Sequence, residues 1–228
     1  TDNEETLSNI RRTIVMQQGS LIAIESFARY LYPTTENGKL AANAAFVFLP
    51  TLVSVTKLLD SAAKAWIKAN EKSDDEKVQL SGVADAECQL LSSSSLCLST
   101  LITAMKARCL PQLPSIIKPL VTSLTSVNAQ FEESNDDEAS SSSGELLQLS
   151  ILKTLHAIAD ALPQFLLPYL PLLFSNHALP SASLRRGAPS VRTAVVQVET
   201  ALSSKVQIRQ LIPALSQALS KTLKTEGS

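Results

Sequence analysis

Apolar positions along this 228-residue chain recur with helical rather than strand periodicity. Leu91, Ser95, Leu98, Ile102 and Met105 step by 4, 3, 4 and 3 residues, and Ile116, Leu120, Leu124 and Val127 step by 4, 4 and 3. Leu147, Ile151, Leu155, Ile158 and Leu162 follow the same rule. Each set lines one face of a helix. No comparable run of strict alternation argues for a strand. Ser92 to Ser95 fall inside the first pattern. They read as small residues that let a neighbouring helix approach, although serine is a mediocre helix former.

Proline punctuates this pattern. Seven of the eleven prolines follow leucine (Pro50, Pro111, Pro114, Pro163, Pro168, Pro171, Pro180), and Pro213 follows Ile212. Proline is tolerated in the first turn of a helix, where its missing N–H had no partner, and it stops the preceding one. Each such step therefore predicts a turn between two helices. A helical run from Ser95 through Ala107 leads to Leu110-Pro111-Gln112-Leu113-Pro114, and one from Ser150 through Ala161 leads to Leu162-Pro163-Gln164-Phe165-Leu166-Leu167-Pro168. An apolar helix is expected after each. Weaker copies run from Gly19 to Pro50 and from Val191 to Leu215.

The matched prolines Pro50, Pro114, Pro168 and Pro213 are 64, 54 and 45 residues apart. The last spacing equals the HEAT/armadillo period of about 40–47 residues. Two polar insertions absorb the excess in the others: Asn70 to Gly82 reads NEKSDDEKVQLSG and Phe131 to Gly144 reads FEESNDDEASSSSG. Both are expected to be mobile loops. The predicted fold is all-α, an α-solenoid of about four HEAT-like helix–turn–helix repeats in a single segment. The units fall at about 8–70, 80–129, 145–176 and 190–225, with acidic loops at about 70–82 and 131–144. A helix pair cannot bury its apolar face alone and stacks on its neighbours. Leu98, Ile102, Leu120, Leu155, Ile158, Leu166 and Leu215 are the expected core.

Composition supports a helical core: 45% of residues are apolar, 4% are aromatic and only 6 are glycine. No run of eighteen uncharged apolar residues predicts a membrane span. The chain begins at Thr1 without a basic-then-apolar leader, which is expected of a piece of something longer. The net charge of −1 hides an asymmetry, −6 over residues 1–179 and +5 over residues 180–228. From Phe131 to Glu145 the chain carries six acids, Glu132, Glu133, Asp136, Asp137, Glu138 and Glu145, and no basic residue. Arg185, Arg186, Arg192, Lys205 and Arg209 are candidate contacts to RNA or to an acidic partner. The plainer reading is a solvated helix face with a flexible Arg-Arg loop, because no aromatic residue is interleaved for base stacking. Ser73 and Ser134 each stand three residues before an acid, the pattern acidophilic kinases use, and are candidate phosphorylation sites.

Catalytic chemistry finds little footing. Cys88, Cys97 and Cys109 are an odd set without a CxxC, which argues against a zinc site or disulfide framework and for a reducing compartment. Cys97 reads as a core residue; pairing it with His156 as a nucleophile lacks an oxyanion-type glycine turn. No GxGxxG or GxxxxGK[ST] is present, so a nucleotide cradle is unsupported. The expectation is a protein that is not an enzyme, with no cofactor, metal, membrane or small-molecule substrate.

Two runs carry a family resemblance. Leu96 to Leu124, with Cys109-Leu110-Pro111-Gln112-Leu113-Pro114-Ser115 at its turn, and Leu149 to Phe174, with Ala161-Leu162-Pro163-Gln164-Phe165 and Pro168-Tyr169-Leu170, are in order and separated by an acidic linker. Together they resemble the large HEAT-repeat, U3 small nucleolar RNA-associated subunits of the small-subunit processome. The likeness covers residues 80–224 well and 1–79 in outline. It implies a nucleolar scaffold without catalytic residues. Such a scaffold works among other processome subunits in the early subcomplex on the 5′ external transcribed spacer of pre-ribosomal RNA, supporting ribosomal DNA transcription and 18S rRNA maturation. The competing expectation is a HEAT/armadillo adaptor of transport or cytoskeletal type that binds peptides. The sole Trp66 and the missing Trp-Asn ladder count against it.

Overall fold

The computed structural model describes residues 2–31, 39–70, 74–133 and 142–226. The fold is all-α, with no strand among the described residues. The longer helices are α1 (Asp2–Leu31), α2 (Lys39–Asn70), α3 (Asp74–Met105), α4 (Leu113–Glu133) and α5 (Ser142–Ala161). They are followed by α6 (Leu170–Leu173), α7 (Ala182–Arg186), α8 (Pro189–Lys205) and α9 (Ile208–Glu226). The chain divides into two compact units, Thr1–Pro119 and Leu120–Ser228.

In the first unit α3 packs along both α1 and α2, while α1 and α2 barely touch each other. The reason lies in α3 itself. Leu90, Leu91, Ser92, Ser94, Ser95, Cys97, Leu98, Leu101 and Ile102 are all buried, more than one face of a helix can account for. The serines make this dense packing workable. Ser92 and Ser95 donate their hydroxyls to the carbonyls of Cys88 (2.9 Å) and Leu91 (2.8 Å), one turn back on the same helix. From α1 come Ile14, Leu21 and Ala28, spaced by two turns; from α2 come Leu52, Val55, Leu59, Ala62 and Trp66. Trp66 is thus a core residue.

Two expectations fail in this unit. The first acidic insertion is helical from Asp74 onward. Its remaining residues 71–73, including Ser73, lie outside the described residues. Leu49-Pro50 does not end a helix: α2 runs through Pro50, and the apolar burial that follows it offsets an interior proline's cost of about 3 kcal/mol. The Leu110–Pro114 turn forms as predicted. Lys106 adopts a left-handed conformation (φ 49°) where α3 stops. A 3-10 turn over Lys106–Gln112 follows, with Cys109 buried in it, and Pro114 occupies the first turn of α4.

In the second unit α5 packs against α8, α7 against α8 and α6 against α9. Leu147, Ile151, Leu155, Ile158 and Leu162 are buried, as their spacing predicts. The apolar helix expected after Pro168 is reduced to two 3-10 turns, Pro163–Phe165 and Leu167–Tyr169, and the four-residue α6. Pro163, Pro168 and Pro171 each lack a donor, so no long i→i−4 ladder can form there. Leu162, Leu166, Leu170 and Leu173 still point inward at a helix-like spacing. The second insertion is helical at both ends, to Glu133 in α4 and from Ser142 in α5; residues 134–141, with Ser134, lie outside the described residues.

The expected core is buried at Leu98, Ile102, Leu120, Leu155, Ile158 and Leu166, but Leu215 is 37% exposed. Pro213 lies inside α9, not at a turn. That helix has two apolar stripes. Leu211, Ala214 and Ala218 are at least partly covered, which leaves Ile208, Ile212, Leu215 and Leu219 exposed. An eighteen-residue window within Ala84–Glu132 is apolar and long enough to cross a membrane, and 67% of it is buried in the protein, as in a core helix.

Candidate nucleic-acid interface

The basic residues singled out by charge all lie in the second unit, on and around α7, α8 and α9. Arg185 and Arg186 end α7. At Gly187 a Cβ would come within 3.1 Å of the Ser183 carbonyl, so glycine lets the chain leave α7 closely. Pro189 then opens α8 with its fixed φ, and Arg192 falls in the first turn.

These cations are not equivalent. Arg185 forms a two-pronged pair with Glu199 of α8, with Nη1 3.4 Å from Oε2 and Nη2 bonded to Oε1. Lys205 pairs with the Asp160 carboxylate of α5 and donates to the Asp160 carbonyl at 3.3 Å. Arg209 donates through Nε to the side-chain oxygen of Gln207 at 2.7 Å. Arg186 and Arg192 are exposed and make no ion pair or side-chain hydrogen bond among the described residues. The five therefore do not form one patch of uncommitted charge. Arg186 and Arg192 flank Gly187-Ala188-Pro189, while Arg185 and Lys205 each hold a carboxylate. Both ion pairs are exposed, worth about 0–1 kcal/mol each, so a phosphate can compete for either cation.

α7 itself is anchored by groups that the charge pattern assigned at most to an acidic loop. Glu132, near the end of α4, accepts a hydrogen bond from the Ser181 hydroxyl (2.6 Å) and from the Ala182 N–H (3.2 Å). Its other oxygen lies 2.9 Å from Nδ1 of His177. Burial pushes the Glu132 carboxyl up, but the hydrogen bonds from Ser181 and His177, the His177 charge and the Ser183 backbone outweigh it and hold it below its usual value. One turn earlier on α4, the buried Asn128 amide donates to the carbonyls of His177 (2.7 Å) and Ala178 (3.2 Å), and its oxygen accepts from Gln148 of α5 at 2.8 Å. Asn128 and Glu132 thus clamp the 177–182 segment that leads into the arginines. The only sequence signal is their i,i+4 spacing on one helix face.

The thiols are inert. Cys88, Cys97 and Cys109 are buried and outside any disulfide, and burial pushes each up to about 12, aided by Asp85 at Cys88 and by Glu25 at Cys97. That is the wrong direction for a nucleophile, which needs thiolate. Among the described residues no group of three or more His, Cys, Asp or Glu is placed to hold a metal ion.

Similarity to known proteins covers part of the chain. It is 29% identical over 143 residues, 61% of its length, to the HEAT repeat-containing protein 1 homolog of Dictyostelium discoideum. It is 28% identical over 131 residues, 57% of its length, to HEAT repeat-containing protein 1 of Homo sapiens. In each case the match is 6% of the relative, so the chain spans a small fraction of the length of the curated relatives it matches. No family model matches the chain, and no solved structure matches it. An α-solenoid fits both the all-helical structure and the HEAT repeats of these relatives.

Proposed function

Since the chain is a partial homologue of HEAT repeat-containing protein 1, we propose that it serves as a non-enzymatic scaffold segment in ribosome biogenesis. In this reading it works in the nucleolus within the small-subunit processome. There it supports pre-ribosomal RNA transcription and 18S rRNA processing through contacts to protein and to RNA of the 5′ external transcribed spacer. The observation that carries the reading is the homology itself. The exposed, unpaired Arg186 and Arg192 support its RNA arm, because guanidinium groups free of carboxylates attract phosphate.

Purification of the tagged full-length protein from cells tests the scaffold. Co-purifying pre-ribosomal RNA and processome subunits are expected, together with nucleolar localisation; nuclear-transport cargo or tubulin in their place would favour the peptide-binding adaptor. The RNA arm is read separately on the 228-residue chain. Titration with a single-stranded RNA should give salt-dependent binding that weakens when Arg186 and Arg192 are both changed to Glu. Two phosphate contacts removed from a single strand should flatten the slope of log K against log salt by about 1.4. Binding unchanged by that double reversal removes the RNA arm.

A further inference from the structure

The first unit holds a cleft of about 500 Å³ where α1 and α2 lie on α3 without closing on each other. Ile10 and Ile14 of α1 and Leu58, Ala62 and Ala65 of α2 form its apolar walls, with Leu90 on the floor. The volume lies within the range of about 300–1,000 Å³ typical of binding clefts. Its lining runs from Asn9 to Gln17 on α1, about 12 Å or two helical turns at the ordinary rise per residue.

Glu87 stands on the floor beside Leu90 and is the only charged residue lining the cleft among the described residues. It makes no ion pair or hydrogen bond among the described residues, and burial raises its carboxyl above the usual value. Among the described residues the Asn9 and Gln17 amides that also line the cleft make no hydrogen bond to it, and two lining hydroxyls are engaged elsewhere. The Thr13 hydroxyl is spent on the Asn9 carbonyl (2.9 Å) and that of Ser61 on the Leu58 carbonyl (3.0 Å). Lys64, the residue before Ala65 on α2, is held by Asp60 at 2.6 Å. A half-buried carboxylate without a partner, between apolar walls, is complementary to one cation carried on an apolar surface.

We propose that the α1–α2 cleft docks a helical segment of a partner protein that presents one lysine or arginine between small or branched apolar residues, with the cation pairing to Glu87. The two flanking helices and the two-turn length suit a helix laid in a groove and read at i, i+3 and i+4. The proposal does not depend on the ribosomal reading, since it concerns only this cleft.

The test uses the whole 228-residue chain and a capped, alanine-based helical peptide with a lysine one turn from a leucine on either side. Fluorescence anisotropy should show binding, and the same peptide with norleucine in place of lysine should bind about ten-fold more weakly, the loss of one charge-assisted contact worth about 1.4 kcal/mol. Glu87→Gln should reproduce that loss while melting no lower than the parent, because it removes a desolvated charge. Ala65→Trp, at an exposed position on the wall, should fill the cleft and abolish binding of both peptides. No binding of the lysine peptide, equal binding of the norleucine peptide, or an affinity untouched by Glu87→Gln or Ala65→Trp would overturn the proposal.

Discussion

Ser94 and Ser123 each bury a hydroxyl that finds no hydrogen-bond partner among the described residues. An unsatisfied buried polar group costs about 1–3 kcal/mol. Ser94→Ala should therefore raise the urea-denaturation midpoint, by the equivalent of about 1 kcal/mol. Leu155→Ala in the same assay should lower it by about 2–5 kcal/mol, because Leu155 is 3% exposed within the α5 core; a midpoint that stays put would remove it from that core. Glu132 sets a pH dependence. Its folded carboxyl sits below the unfolded value of about 4.3, so its stabilisation is full above that value and is lost as pH falls through the lowered native one. Acid denaturation followed by circular dichroism should accordingly be shallower in Glu132→Gln than in the parent chain. Leu155 was legible in the sequence because its neighbours repeat at 3 and 4 residues. Ser94 and Glu132 were not, since periodicity marks which side a residue faces but not whether its oxygen meets a donor.

Among the elements, the helices themselves were readable from periodicity, and Leu110 to Pro114 was readable as a turn. What misled was proline. Pro114 and Pro189 sit in first turns, where a missing N–H is harmless, whereas Pro50 and Pro213 lie inside α2 and α9. At Pro50 the difference comes from tertiary burial, which a Leu-Pro step does not encode. Pro213 is exposed, so its replacement removes little packing. Pro213→Ala should stabilise α9 by up to about 3 kcal/mol and slow amide hydrogen exchange around it; unaltered exchange would mean that the helix already compensates for its missing bond. The acidic stretch at 70–82 misled in the other direction. A run of carboxylates has the composition of a loop, but helix α3 runs on from Asp74.

At the scale of the whole chain, all-α architecture was evident from the repeat, and the five candidate cations Arg185, Arg186, Arg192, Lys205 and Arg209 fall within one unit. The pairing of Arg185 with Glu199 and of Lys205 with Asp160 was hidden, because those partners are 14 and 45 residues apart and meet only after folding. The outward apolar residues of α1, Val15, Met16, Ile22, Phe27 and Tyr30, and the stripe Ile208, Ile212, Leu215 and Leu219 of α9 bear on how the molecules behave as a solution. With a net charge of only −1, long-range repulsion between copies is weak, and short-range attraction between wetted hydrocarbon governs the intermolecular potential. The osmotic second virial coefficient of the purified chain should therefore be negative near neutral pH. Ile212→Glu, at a 59% exposed position, should move it toward positive values without lowering the melting temperature. Light scattering that shows ideal behaviour in the parent chain would mean that these stripes are not attractive between copies, and the oily surface would then be no driver of its phase behaviour.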